Sequence, residues 1–196
     1  MGFDLKIIIT GLTLILFSIN SLQAWEISSE FSRIEFISIK QANFIELYQF
    51  NHFQGRLNKE GDLELTIDLN SVNTGSPIRN RYIRQYFFQT NRYKVINATI
   101  LFDQNMLDSI ENNQPRSILT QVKIDLHNVE KNLPIELIII KENDEEIIIQ
   151  TENPFIIDLR DFNYIEALMH FKKHFSLQAI NAVVPVIVSF RLKHAV

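Results

Sequence analysis

Asp62–Phe88 reads DLELTIDLNSVNTGSPIRNRYIRQYFF. Leu63, Leu65, Ile67 and Leu69 alternate with Glu64, Thr66 and Asp68, the period-two pattern of a strand with one buried face. The strand ends in turn chemistry. Gly75 supplies a turn, Ser76 can accept from a free helix N–H, and Pro77 suits a first helical position, where its missing donor is not needed. A short helix is predicted from Pro77, with Ile78, Tyr82 and Tyr86 sharing a face. Between Leu69 and Phe102 there is no Asp or Glu, while Arg79, Arg81, Arg84, Arg92 and Lys94 all fall there, in a chain of net charge -4. Free N–H groups at a helix start and nearby guanidinium groups suit an anionic head group. The alternative is a solvated face on a helix packed against the sheet.

Outward from this stretch the chain reads as strands. Phe31 to Ile39 and Phe44 to Gly55 are rich in Phe, Ile and Tyr, and Phe53 to Leu69 forms a hairpin about Gly61-Asp62. Tyr93 to Phe102 is strand-sized, and Asp103 to Ser117 is a polar connection with a helical turn expected near Met106 to Ile110. Ile118 to Leu126 alternates, and Leu133 to Ile140 with Glu146 to Thr151 makes a hairpin about Glu142-Asn143-Asp144. Asp161 to Ser176 turns helical, and Ala182 to Leu192 closes the chain, with Pro185 at an edge or a strand start. Some eight strands without α/β alternation favour an all-β antiparallel barrel or sandwich with one or two short helices.

Composition narrows the function. At 196 residues and 46% hydrophobic content, one domain with a substantial core is expected, spanning 25–196. The absence of Cys excludes disulfides, thiolate metal sites and a Cys nucleophile. A pI near 5.7 argues against nucleic acid as a partner. Residues 1–24 have the form of a signal peptide: Lys6, an apolar run from Ile7 through Ile19, then a polar stretch ending at Ala24, with cleavage expected after it. No GxSxG, Walker or Rossmann pattern is present, so no enzymatic activity and no cofactor are expected. Glu166, His170 and His174 are spaced four apart and offer a candidate metal face, against a plain polar helix face.

The same residues carry a family resemblance. Ser71, Thr74, Gly75, Arg79, Phe87 and Phe88 resemble the Ser-Ile-x-Thr-Gly…Arg-Asp-x-His-Leu…Phe-Phe segment of the YceI-like family, with Asn80 and Tyr82 where that family has Asp and His. Phe53 and Gly55 are similar to its Phe-x-Gly, and Tyr93 to the Tyr of its Tyr-Pro pair, with Lys94 in place of Pro. Asp125 to Lys131 resembles its Leu-x-Leu-His-Gly-Val-x-Lys, with Asn128 for Gly. Arg160, Asp161 and Phe162 resemble its Arg-x-Asp-Phe-Gly, with Asn163 for Gly. The resemblance covers roughly 25 to 193. It implies an eight-stranded lipocalin-like β-barrel in the periplasm, holding an isoprenoid, quinone or fatty-acid-like lipid. The ligand-binding residues it suggests are Arg79, Arg81, Tyr82, Arg84, Phe87, Phe88, His127 and Phe162, with the arginines near the mouth and the polar head. The alternatives are a filled barrel acting as an interaction module that dimerises through apolar outer strands, and a metal-binding protein using Glu166, His170 and His174. Peripheral contact with a membrane is a further expectation of an apolar outer surface.

Overall fold

The computed structural model describes residues 25–41, 44–58, 60–103, 107 and 109–194; the signal peptide expected over 1–24 lies outside these. β1 (Trp25–Ile27), β2 (Arg33–Lys40), β3 (Phe44–Phe50), β4 (Phe53–Leu57), β5 (Leu63–Asp68) and β6 (Val72–Asn73) precede the helical segment. It is followed by β7 (Val95–Ile100), β8 (Arg116–Leu126), β9 (Val129–Asn143), β10 (Glu146–Thr151), β11 (Phe155–Asp158) and β12 (Val183–His194). Four walls are each broken into two strands: β1 with β2, β3 with β4, β5 with β6, and β10 with β11. The twelve strands thus make a closed eight-walled antiparallel barrel, each wall pairing with its neighbour in sequence. β12 closes the ring by pairing with β1 (Trp25↔His194, Ile27↔Leu192) and with β2 (Ile34↔Val188). The seam between β1 and β4 is thin, a single pair, Glu26↔Arg56.

Alternation places the core where the sequence pattern predicts it. Leu63, Leu65, Ile67 and Leu69 are all buried. Pro185 lies near the start of β12 opposite Ile156, one residue before β12 begins to pair with β2 at Val186, which fits the expected strand start. The connection expected to hold a helical turn near Met106 lies largely outside the described residues, though Leu107 N–H donates to Asp103 O at 3.1 Å. The turn between β8 and β9 is two residues long, His127 (φ 54) and Asn128 (φ 62), a geometry that Asn adopts readily. Outside the barrel, Phe44, Ile45 and Leu47 on the β2–β3 hairpin are 57%, 67% and 56% exposed, the densest apolar surface on the strands. Among the described residues no helix is long and apolar enough to cross a membrane.

Two helices cap one end. α1 (Pro77–Tyr82) starts as predicted: Ser76 has extended backbone and accepts from Arg79 N–H at 3.5 Å, after Gly75 at φ +73. The helix then widens into a π turn over Ile83–Phe87, with Phe88 N–H donating to Ile83 O at 2.8 Å. The predicted common face of Ile78, Tyr82 and Tyr86 forms in part: the Tyr82 and Tyr86 rings lie side by side with centroids 4.9 Å apart, but the three residues are not buried together. Tyr82 is buried at 9% exposure, while Ile78 and Tyr86 remain 71% and 54% exposed. α2 (Ile165–His174) buries Leu168 and Phe171, and its last turn carries Lys172, Lys173 and His174, which suits the negative end of the helix dipole. The end of β2 at Lys40, the His127–Asn128 turn and both helices therefore share the cap end. Trp25, Asp62 and His194 mark the opposite, floor end.

Candidate ligand cavity and its polar cluster

The two halves of the barrel interior differ. At the floor end Leu63, Leu137, Ile139, Ile149 and Leu192 are all at 0% exposure and pack solidly. The cap-side half keeps a cavity of about 170 Å³. Leu65, Ala98, Ile124, Leu126, Val186 and Val188 wall it from the strands. Ile83, Phe87, Phe88, Leu168 and Phe171 close it from the cap. The π turn gives this lid its shape, since its extra residue lets Ile83, Phe87 and Phe88 all line the cavity. Among the described residues, the polar side chains that line it are Ser38, Tyr48 and Asn181. A cavity of about 150 Å³ lined this way stays dry and takes benzene, whereas drug-sized pockets begin near about 300 Å³. In this conformation the barrel has room for a segment of an apolar chain, and a longer one requires the lid side chains to move.

Behind Tyr48 sits a cluster that the sequence pattern did not announce. Lys40, at 5% exposure, and Glu46 come from facing strands of the β2–β3 hairpin, and Arg79 comes from α1. Lys40 Nζ, Arg79 Nη1 and the Tyr48 hydroxyl all donate to one oxygen of Glu46. Arg79 Nη1 also donates to the Tyr48 hydroxyl at 2.7 Å, and its Nη2 donates to Thr74 O at 3.2 Å. Burial pushes the Glu46 carboxyl up, but the hydrogen bonds from Arg79, Lys40 and Tyr48 outweigh it and hold the group at about 2. Burial and the neighbouring guanidinium push Lys40 down, only partly offset by Glu46. Burial and the Glu46 hydrogen bond push the Tyr48 hydroxyl well above its ordinary range.

An acid-stability prediction follows, because Glu46 titrates lower when folded than when unfolded. Its contribution is fully present above about pH 4.5 and is lost as pH falls through about 2. It amounts to on the order of 3 kcal/mol at most. Urea unfolding at stepped pH is expected to show Glu46→Gln less stable than wild type at pH 7, with the gap closing towards pH 2. A constant gap across that range would show that the carboxylate charge does not tie the hairpin to α1.

The structure distributes the sequence-predicted residues unevenly. Phe87 and Phe88 line the cavity, and Arg79 joins the cluster beside it. Arg81 is exposed, and Arg84 is half-buried with Nη1 donating to Asn70 O at 3.3 Å, so the three arginines do not converge. Tyr82 stacks on His174, ring centroids 4.3 Å apart, and meets Phe171 and Phe175 edge-on. Phe162 is buried at 2% exposure without lining the cavity. His127 supports the lid from outside: it stacks on Tyr93 at 3.8 Å, and its Nε2 lies 2.6 Å from Phe88 O. A carbonyl can only accept, so this ring nitrogen carries the proton, and burial pushes the imidazole pKa down. Asn80, standing where the resembling family has Asp, accepts from Thr74 N–H at 2.8 Å and from the Thr74 hydroxyl at 2.7 Å through one oxygen, an arrangement a carboxylate oxygen can also make. Sequence reasoning missed Lys40, Glu46 and Tyr48. Their signal was the inward parity shared by Ser38, Lys40, Glu46 and Tyr48 at a hairpin tip.

The candidate metal face is not assembled. His170 Nε2 lies 3.9 Å from Glu166, while His174 is turned into its stack with Tyr82. Among the described residues no group of three His, Cys, Asp or Glu is placed to hold a metal ion.

Comparison with known proteins places the chain. None of the curated proteins compared with it matches. The fold is shared with a polyisoprenoid binding domain from Saccharophagus degradans implicated in plant cell wall breakdown, at 26% identity and TM-score 0.84, over 88% of this chain and 99% of that one. BcnA of Burkholderia cenocepacia superposes at TM-score 0.64 with 14% identity, over 84% of this chain and 98% of that one. A Campylobacter jejuni YceI protein superposes at TM-score 0.56 with 17% identity, over 76% of this chain and 85% of that one. The last two show likeness of fold. A family description, YceI-like domain, matches residues 25–192, nearly the whole described barrel, and the chain therefore belongs to the YceI-like family.

Proposed function

We propose that this protein is a non-catalytic carrier that holds a long apolar chain, of the isoprenoid class or similar in shape, inside the cap-side half of its barrel. The observation that carries this reading is the contrast between a solid floor half and an apolar cavity beneath a two-helix lid. Apolar burial at about 25 cal/mol per Å² rewards a chain that leaves water for such a wall. The polyisoprenoid binding domain of S. degradans, similar over nearly all of its length, supports the choice of chain. The leader-like sequence at 1–24 supports export, and with it a periplasmic site of action. The lid is the natural entrance, because Phe87, Phe88, Leu168 and Phe171 reach the cavity from helical segments and can swing without breaking a barrel ladder.

The test is native mass spectrometry of mature protein purified from an exporting host, followed by organic extraction. The expected result is one long-chain species at close to one per chain. Protein that is empty, and stays empty after incubation with quinones, polyprenyl phosphates and fatty amides, would overturn the reading.

A further inference from the structure

The cluster behind Tyr48 is unbalanced. Lys40 and Arg79 bring two positive charges, and among the described residues Glu46 is the carboxylate that meets them. Placing a lysine at 5% exposure beside a guanidinium is costly unless opposite charge compensates it, and one shared carboxylate oxygen compensates half. The position matters as much as the charge. Tyr48 and Phe171 line the cavity, and the Lys40 ammonium lies 5.2 Å from the first ring centroid and 5.8 Å from the second. The Tyr48 hydroxyl, bonded to Lys40, Glu46 and Arg79 together, is the hinge between the cluster and the apolar space. Such a place is built for a group that is apolar along its length and negative at one end.

Resting on the carrier reading above, we propose that Lys40, Arg79 and Tyr48 form an oxyanion site that takes the phosphate or carboxylate head of a single-chain amphiphile whose tail lies in the cavity. The head supplies the second negative charge, and Lys40 is the residue that makes the site selective. Arg79 offers a planar fork that suits an oxyanion, and Lys40 adds a point charge with a third N–H beyond those given to Glu46 and Tyr48. Glu46 acts as the internal competitor that holds both cations when no head group is bound.

Calorimetric titration of the delipidated full mature chain with farnesol and with farnesyl phosphate, which share a tail, tests this. Wild type is expected to bind farnesyl phosphate about tenfold more tightly than farnesol. Lys40→Met is expected to bring the two within about twofold while keeping farnesol binding, and Glu46→Gln to widen the preference, because it removes the competitor. The variants move in opposite directions, so loss of fold cannot imitate the pair of results. Equal binding of alcohol and phosphate by wild type would overturn the head-group site and leave the carrier standing. A preference unchanged in both variants would also overturn it. Failure of wild type to bind either molecule would overturn the site together with the carrier reading.

Discussion

Ala98→Phe is expected to abolish retention of a long-chain ligand while leaving the barrel folded. Ala98 faces inward at 7% exposure from the middle of β7, opposite Leu65 and Ile124, and lines the cavity with both. A space of about 150 Å³ accommodates a benzene ring, so one of about 170 Å³ takes a phenyl side chain nearly whole. The ring then occupies the volume the chain needs. Occupancy should fall by at least about tenfold. Overpacking strain of about 1–3 kcal/mol opposes the new burial, and the thermal midpoint should stay within about 10 °C of wild type. Thr99→Phe, next in sequence but on the outer face, should leave occupancy unchanged. Native mass spectrometry of the two variants reads the difference, and full occupancy of Ala98→Phe would place the chain outside the barrel.

The largest expected loss of stability comes from Gly55→Val. A Cβ at this position would stand 2.7 Å from Ile27 Cδ1, 2.8 Å from Glu64 O and 2.8 Å from Leu65 Cδ2. The two side chains can turn, but the carbonyl belongs to the β5 backbone. Relief therefore requires β1 or β5 to move away from β4, and β1 holds β4 through one residue pair. The seam has little reserve. Gly55→Val is expected to lower stability by about 3 kcal/mol, or roughly 6–12 °C in midpoint for a chain of this size. Amide exchange should accelerate first at Trp25–Ile27, and an unchanged midpoint would show that the seam tolerates the extra volume.

The sequence made much of the barrel legible and little of its polar chemistry. The alternation from Leu63 to Leu69, the Ser76–Pro77 helix start and the His127–Asn128 turn each follow local rules that the tertiary structure obeys. The arginines illustrate the limit. Spaced along one short segment, Arg79, Arg81 and Arg84 suggest one basic patch, but Arg79 and Arg81 stand two apart on α1 and do not share a face, Arg84 lies in the π turn and donates to Asn70 O, and only Arg79 enters the cluster. The mate of Arg79 lies far away in sequence, on β3. Finding it requires the hairpin register, in which Ser38 stands opposite Glu46 and Phe36 opposite Tyr48. A charged residue on the inward face of a strand is a signal only after that face is known.

The order of the walls also determines how this chain must fold. Every neighbour pair but one joins walls that follow one another in sequence, through tight hairpins or, at β5–β7 and β11–β12, through the helical segments, and such comparatively local pairings form early. The exception is β12, whose one edge must find β1 and β2 at the far end of the chain, after a loop closure spanning almost the whole barrel. Until that encounter β2 has one ladder with β3 and one open edge, and the apolar interior faces water. Ring closure is therefore the expected rate-limiting event, and a chain delivered amino end first has to keep that edge unpaired until its last strand arrives. Lesions in β12 should accordingly show themselves as aggregation during production more than as altered behaviour of the finished protein.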